Sequence, residues 1–447
     1  KEKLADPIPF VKDTDTALAG EMFKLIAPTL LSGLLTVLTD QHEAAVITTA
    51  LEAFKFIIHL ACGFELTEEI QDFVWAMANF AQQKEMKTKH VECVRYLLLA
   101  SDADGNRLGG SWKIVQKCVS HVAQYIIDRS PTQQQGKLAA QPTQDEEAPK
   151  KSEDPIVTQL KSIDSERIYS NSVHLSDAAI VGYVESLCEV SAGELQIANT
   201  PRTFSLTKLV EIGDTNMKKR DIPVWMQLWR PMSEHFVTAG LHSREDTALH
   251  GVDCERQLVL KMFAIPELIA SPFQSDFLKP LEIMVGHRSE NNRMYLIHCI
   301  GQLISAHAKH ITAGWRNILS ILRTAAGDLP EIVEAAFKLL DLVGRDMLGQ
   351  PEFEPYFSEF VETAAAYAST PLIGSDIVTK ALAMLQMSAR RIDAVLQEEG
   401  NVNNVPETIN ALWSAVISGM VRSLEHSTID TRIDAIEKMI PILASSG

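Results

Sequence analysis

The sequence predicts an all-α protein: an α-solenoid of HEAT- or armadillo-like helical hairpins, interrupted by one disordered linker. Three observations lead there. Helix-length apolar patterns follow one another through short turns almost from end to end. Breakers are scarce, with 22 glycines and 19 prolines in 447 residues, below ordinary usage. And a helix opening on tryptophan recurs. Trp112, Trp225, Trp315 and Trp413 each carry apolar residues three and seven positions on: Val115 and Val119, Leu228 and Met232, Ile318 and Leu322, Val416 and Met420. Their spacing is roughly two or more lengths of a 40–47-residue helical repeat. The chain is too long for one compact core, and its 46% apolar content suffices to bury several.

The elements follow in order. Residues 1–20 are polar and poorly patterned. Met22 to Leu38 reads as a helix that Pro28 kinks or divides. Its apolar run, Leu25 to Leu38, is short for a membrane span and reads as a core helix. Helices are expected at Glu43 to Cys62, Leu66 to Phe80 (Thr67 as cap) and His90 to Ala100. The run Ser101 to Gly110 breaks the pattern, and Trp112 to Ile127 resumes it. Residues 130–155 hold four prolines, mixed charge and one large aliphatic side chain, a composition that cannot offset the entropy of ordering. They divide an N-terminal helical section, 1–129, from a C-terminal one, 156–447.

Beyond the linker, Leu175 to Val190 reads as a helix capped by Ser176. Asn199 to Phe236 then reads as a hairpin. Leu206, Leu209, Val210, Gly213 and Met217 share one helical face, and Trp225, Leu228, Trp229, Met232 and Phe236 share another. Lys218, Lys219 and Arg220 lie at the elbow, where cations complement a helix C-terminus. Asp221 suits a cap and Pro223 a first turn. Nine further helical patterns run from Asp246 to Leu443.

Several functional classes recede. A net charge of −17 lacks the basic footprint of a nucleic-acid binder. Six cysteines with no C-x-x-C pair read as reduced core thiols. The chain begins at Lys1 without a methionine and reads as a piece of a longer protein, so targeting segments are not judged. A calcium loop at Asp102 fails, because its sixth and twelfth positions are not Gly and Glu. His242, His250, Asp253 and Cys254 match no zinc pattern, and no phosphate loop or catalytic motif appears. No cofactor is expected. Three basic clusters remain: Lys84, Lys87, Lys89 and His90; Lys218, Lys219 and Arg220; Arg390 and Arg391. Each could meet anionic headgroups or an acidic partner, but each reads more readily as a solvated turn or helix end. The middle cluster is favoured, because a rigid hairpin would present it.

Longer stretches point to a family. DGNRLGGSW (Asp104–Trp112), SLCEVSAGEL (Ser186–Leu195) and the F-S-L-x-K-x-V-E-I…N-M pattern from Phe204 to Met217 follow in order. VDCERQLVLKM (Val252–Met262), FQSDFLKPLEIM (Phe273–Met284) and ISAHAKHITAGWRNI (Ile304–Ile318) come after. In these the chain resembles the region C-terminal to the catalytic domain of the large late-Golgi Arf guanine-nucleotide exchange factors, the brefeldin-A-inhibited or Sec-seven type. The resemblance spans roughly residues 20 to 345 and departs at Asp214 and Thr215, where aromatic residues are usual. It implies a non-catalytic region that regulates exchange and contributes to Golgi or trans-Golgi recruitment from the cytosol. The partners implied are GTP-loaded Arf-family GTPase, an anionic Golgi membrane, the protein's own upstream exchange domain and possibly a second copy. The alternative is a solenoid transport adaptor or coat-type scaffold unrelated to exchange.

Overall fold

The computed structural model describes residues 16–130, 154–270, 272–370, 375–399, 407–425 and 428–445. Among the described residues all regular structure is helical, in twenty α-helices and a few short 3₁₀ turns. Two compact units divide the chain, Lys1–Met232 and Ser233–Gly447.

The first unit opens with α1 (Thr16–Asp40), α2 (Ala44–Gly63), α3 (Thr67–Ala81), α4 (Thr88–Asp104) and α5 (Trp112–Arg129). It continues with α6 (Pro155–Lys161), α7 (Arg167–Ser170), α8 (Asp177–Leu195) and α9 (Phe204–Asn216), and α10 (Ile222–Gly240) starts within it. Most of the linker expected at 130–155 lies outside the described residues. Its downstream end is a helix start: Asp154 accepts the Ile156 amide at 2.9 Å, with Pro155 in the first turn. The helices flanking it pack together, α5 against α6 and α8. The division by contacts therefore falls after Met232, not at the linker.

Expected helices appear with shifted ends. Ser176 caps α8 through its hydroxyl, accepting the Ala179 amide at 3.3 Å. Thr67 is not a cap but the first residue of α3, following Leu66. Pro28 sits inside one continuous α1 rather than ending it. The expectation that Leu25 to Leu38 forms a core helix is corrected. Both α1 and α2 are long and apolar enough to cross a membrane by length and composition alone. Of the apolar window, 44% is buried in α2 and 17% in α1.

The second unit holds α11 (Glu245–Met262), α12 (Pro266–Ile269), α13 (Gln274–Met284), α14 (Glu290–His307), α15 (Trp315–Ala325) and α16 (Pro330–Asp346). After them come α17 (Phe357–Ala368), α18 (Ser375–Glu399), α19 (Glu407–Ser423) and α20 (Ile429–Ser445). They stack in two layers. α11, α14 and α16 pack side by side, as do α13, α15, α17 and α19. Cross-links between successive rungs join residues 42 to 46 apart. Tyr295 reaches Asp253, Asn291 reaches Glu245, and the Tyr367 hydroxyl donates to the Leu322 carbonyl at 2.8 Å. That separation is the length of one helical repeat, and each repeat buries its apolar face against its neighbours.

The tryptophan anchors behave as expected at three of four positions. Trp112, Trp225 and Trp315 are buried together with their partners three and seven residues on. Trp315 meets Phe353 edge-on at 5.2 Å, a geometry that adds to the burial of both rings. Trp413 is only half-buried and lies inside α19 rather than opening it, although Val416 and Met420 are core.

Candidate functional site

In the first unit, the residues that carry the family pattern are drawn together by three polar braces. The first is the turn after α4. Asp104 is buried, and its carboxylate faces the His59 Nδ1 at 2.9 Å. The Trp112 indole donates to the Gly105 carbonyl at 2.9 Å. A side chain at position 105 would begin 2.9 Å from the Leu175 side chain and 3.1 Å from the Trp112 ring, so the turn packs closely on glycine and a Cβ there would make both side chains shift. Asn106 accepts the Ser176 amide at 2.7 Å, which ties the turn to the start of α8. On α8, Tyr183 meets Trp112 edge-on at 4.7 Å and donates to the Ile168 carbonyl.

The second brace is Glu194, 4% exposed near the end of α8. Its carboxylate accepts from the Arg202 guanidinium at 2.9 Å, the Ser205 amide at 2.9 Å and the Ser205 hydroxyl at 2.8 Å. The Ser120 hydroxyl of α5 donates to it as well. An anion held by amides at the first turn of α9 also meets the positive end of that helix. Thus one side chain joins α5, α8 and α9.

The third brace runs along α9. Lys208 is 8% exposed, hydrogen-bonds Glu211 at 2.9 Å, pairs with Glu166 and lies over the Tyr169 and Phe204 rings. Asn216 donates to the Ser172 hydroxyl at 3.0 Å and accepts from Arg220 at 3.1 Å.

The sequence-predicted cations fare differently. Lys218 and Lys219 are exposed at the elbow, and no hydrogen bond or ion pair holds either ammonium among the described residues. Arg220 is a correction. Its side chain is 8% exposed and pairs with Asp177 at 2.7 Å. It also donates to the carbonyls of Ser172, Val173 and Leu175, the last at 2.7 Å. Those carbonyls lie at the end of a short 3₁₀ turn, where the forked guanidinium gathers all three. Lys84 and Lys87 are exposed. Lys89 is a second correction: its ammonium caps α1, donating to the carbonyls of Leu38 at 2.6 Å, Thr39 at 2.8 Å and Gln41 at 3.3 Å. Arg391 pairs with Glu354, whereas Arg390 is exposed.

The Asp102 turn and the Asp253 region are likewise taken up internally. Asp102 pairs with Arg167 at 2.8 Å. Asp253 accepts from Arg256, Gln257 and Tyr295, and among the described residues no group of ligands could hold a metal.

Sequence reasoning missed Glu194, Ser120 and Arg202 as a unit. Glu194 left a faint signal, a charge on the apolar side of SAGEL; Ser120 left none.

Buried titratable groups elsewhere are held in their neutral forms. Burial pushes the Cys62 and Cys299 thiols up to about 12 and drops His90 and His235 to about 4. Glu255 is fully buried and neither carboxyl oxygen has a hydrogen-bond partner, so burial raises it well above the ordinary carboxylate range. A raised folded-state pKa contributes stability that is present below the unfolded pKa and lost as pH rises. Between the unfolded pKa and the raised folded one, the folded chain keeps a proton that the unfolded chain releases, so stability falls as pH rises, by at most about 1.4 kcal/mol per pH unit. Glu255→Gln removes that slope. Denaturant unfolding at pH 5, 6 and 7 is expected to show wild type losing stability relative to Glu255→Gln as pH rises. Parallel curves would refute a protonated Glu255.

What this arrangement offers is a braced surface, with exposed charge on a rigid elbow and buried groups kept from reacting. A family model described as "Sec7-like_HDS: Mon2/Sec7/BIG1-like, HDS" matches residues 261–342. Brefeldin A-inhibited guanine nucleotide-exchange protein 1 of Mus musculus and that of Homo sapiens are each 33% identical over 369 residues. The match covers 74% of this chain and 20% of each relative. The protein of the same name from Arabidopsis thaliana is 24% identical over 515 residues, covering 97% of this chain and 30% of its own length. The chain thus spans a fifth to about a third of the relatives it matches. Among solved structures, a circular tandem repeat protein and the TSC2 N-terminus align over 96% and 92% of this chain and 97% and 99% of theirs. Their TM-scores are 0.35 and 0.32 at 10% identity.

Proposed function

Because the chain belongs to the brefeldin A-inhibited, Sec7-type Arf exchange factors, as a regulatory and scaffolding region downstream of the catalytic domain, we propose that it docks its parent protein on GTP-loaded Arf at an anionic Golgi surface. In this reading it controls exchange through that contact and transfers no nucleotide by itself. The observation that supports it is where the family residues go. Glu194, Lys208, Asn216 and Arg220 are spent bracing the stack, while Lys218 and Lys219 stand free on the elbow those braces hold. A rigid helical stack offers a fixed face to a folded partner. Two cations near an anionic surface add about 1 kcal/mol each.

The test is co-sedimentation of this chain with anionic liposomes carrying GTP- or GDP-loaded Arf. Binding is expected with GTP-loaded Arf, and reversing Lys218 and Lys219 to glutamate should weaken it about tenfold or more. Both side chains are exposed, so the doubly reversed chain should keep its melting temperature. Equal binding in both nucleotide states, or no loss on charge reversal, would overturn the docking role of the elbow.

A further inference from the structure

The exposed apolar side of α1 belongs to none of the braces above. Leu18, Met22, Leu25, Ile26 and Leu30 are all at least 36% exposed, and Leu25 reaches 82%, the largest value among the exposed large apolar side chains. A helix apolar on most of its circumference is ordinarily buried. Beside this side lies a groove of about 340 Å³ between α1 and α3. From α1 it is lined by Lys24, Ala27, Pro28, Leu31, Ser32 and Leu35, at helical spacing over about three turns. From α3 it is lined by Phe73, Glu69 and Asp72.

The charge at the rim indicates what fits. Glu69 and Asp72 make no hydrogen bond or ion pair among the described residues. The Glu21 hydrogen bond, with Glu69 and Glu68 adding through space, holds the Lys24 ammonium above its usual range. Two carboxylates and one ammonium thus rim an apolar floor, and Glu21 and Glu68 stand near that ammonium. A second copy of this groove would bring acids against acids. An anionic membrane would meet the same repulsion.

We propose that this groove receives a basic amphipathic helix of a partner protein. Its apolar stripe lies along α1 from Lys24 to Leu35, and its Lys or Arg flank meets Glu69 and Asp72. Such a helix-in-groove contact is read at positions three, four and seven residues apart, the spacing that α1 itself presents. It is a different surface from the Lys218–Lys219 elbow and goes beyond the membrane and GTPase reading.

The probe is a labelled 18-residue peptide of leucine and lysine at amphipathic spacing. Its counterpart carries glutamate for lysine. Both are titrated by fluorescence anisotropy against the full chain. The Leu/Lys peptide is expected to bind, and Leu25→Glu and the double variant Glu69→Lys, Asp72→Lys are each expected to weaken it about tenfold. The doubly reversed groove should also gain affinity for the Leu/Glu peptide. All three substituted side chains are on the surface, and unchanged far-UV circular dichroism and melting would show each variant folded. The proposal is overturned if the Leu/Lys peptide does not bind, or if it binds all variants equally, as general attraction to an acidic protein would. Flotation with anionic vesicles that is lost in Leu25→Glu, without peptide binding, would assign the α1 face to a membrane instead.

Discussion

Glu194→Ala is expected to lower the unfolding free energy of the first unit by about 3 kcal/mol. The carboxylate is nearly sealed from water and accepts from Arg202, from the Ser205 amide and hydroxyl, and from Ser120. Removing one side of a buried ion pair costs about 3–5 kcal/mol, because the other charge is left without its partner. The lower end applies here, since Arg202 remains 21% exposed and can recover some hydration. The unpaired amide at the first turn of α9 adds its own desolvation cost, about 1 kcal/mol or more. Glu194→Gln keeps the shape and one acceptor and should recover about half of the loss. Denaturant unfolding gives the size of the effect. Hydrogen exchange read by mass spectrometry locates it, with protection expected to fall across α8 and α9 and to hold in the second unit. A loss below about 1 kcal/mol, typical of an exposed pair, would show that Glu194 does not brace these helices.

The second large effect is expected at Gly251. Local propensity alone says that alanine should stabilise the middle of α11 by about 1 kcal/mol. The packing says otherwise. A Cβ at this position would lie 2.5 Å from the Gly240 nitrogen and 2.7 Å from the Ala239 carbonyl carbon. Both are backbone atoms, so no side chain can rotate away and the two helices must move apart. Overpacking a fitted core costs about 1–3 kcal/mol, and more where backbone must shift. The net result for Gly251→Ala is a loss of at least about 2 kcal/mol, with Gly251→Leu losing more. Thermal unfolding of the two variants checks the sign. If Gly251→Ala melts above wild type, the close crossing of α10 and α11 is wrong.

Individual residues show why some of this was legible in the sequence and some was not. The face Leu206, Leu209, Val210, Gly213 reads as buried from spacing alone, and all four side are buried. Ser176 reads as a cap because its partner is three residues away. Arg220 and Lys89 read as surface cations for the same local reason, since each follows or opens a helix. Their carbonyl acceptors lie 45 to 51 residues off, and the Asp177 carboxylate that Arg220 also meets lies 43 off, at positions that no sequence pattern marks. Trp413 resembles the other three tryptophans in its neighbours three and seven residues on, yet only folding decides how far a helix is covered.

What the sequence by itself determined is the part of the architecture governed by local chemistry: helices throughout, their faces, the repeat-length rhythm, and the motifs of the family. What only the tertiary structure decided is how each polar group is used. Lys89 and Arg220, two of the clustered cations, close helix or turn ends, a glutamate joins three helices, a glycine sets how closely two helices approach, and α1 keeps an apolar side in solvent. The physical reason is range. Helix formation is written in contacts three and four residues apart, whereas a charge is satisfied by whichever donor or acceptor the next repeat brings beside it.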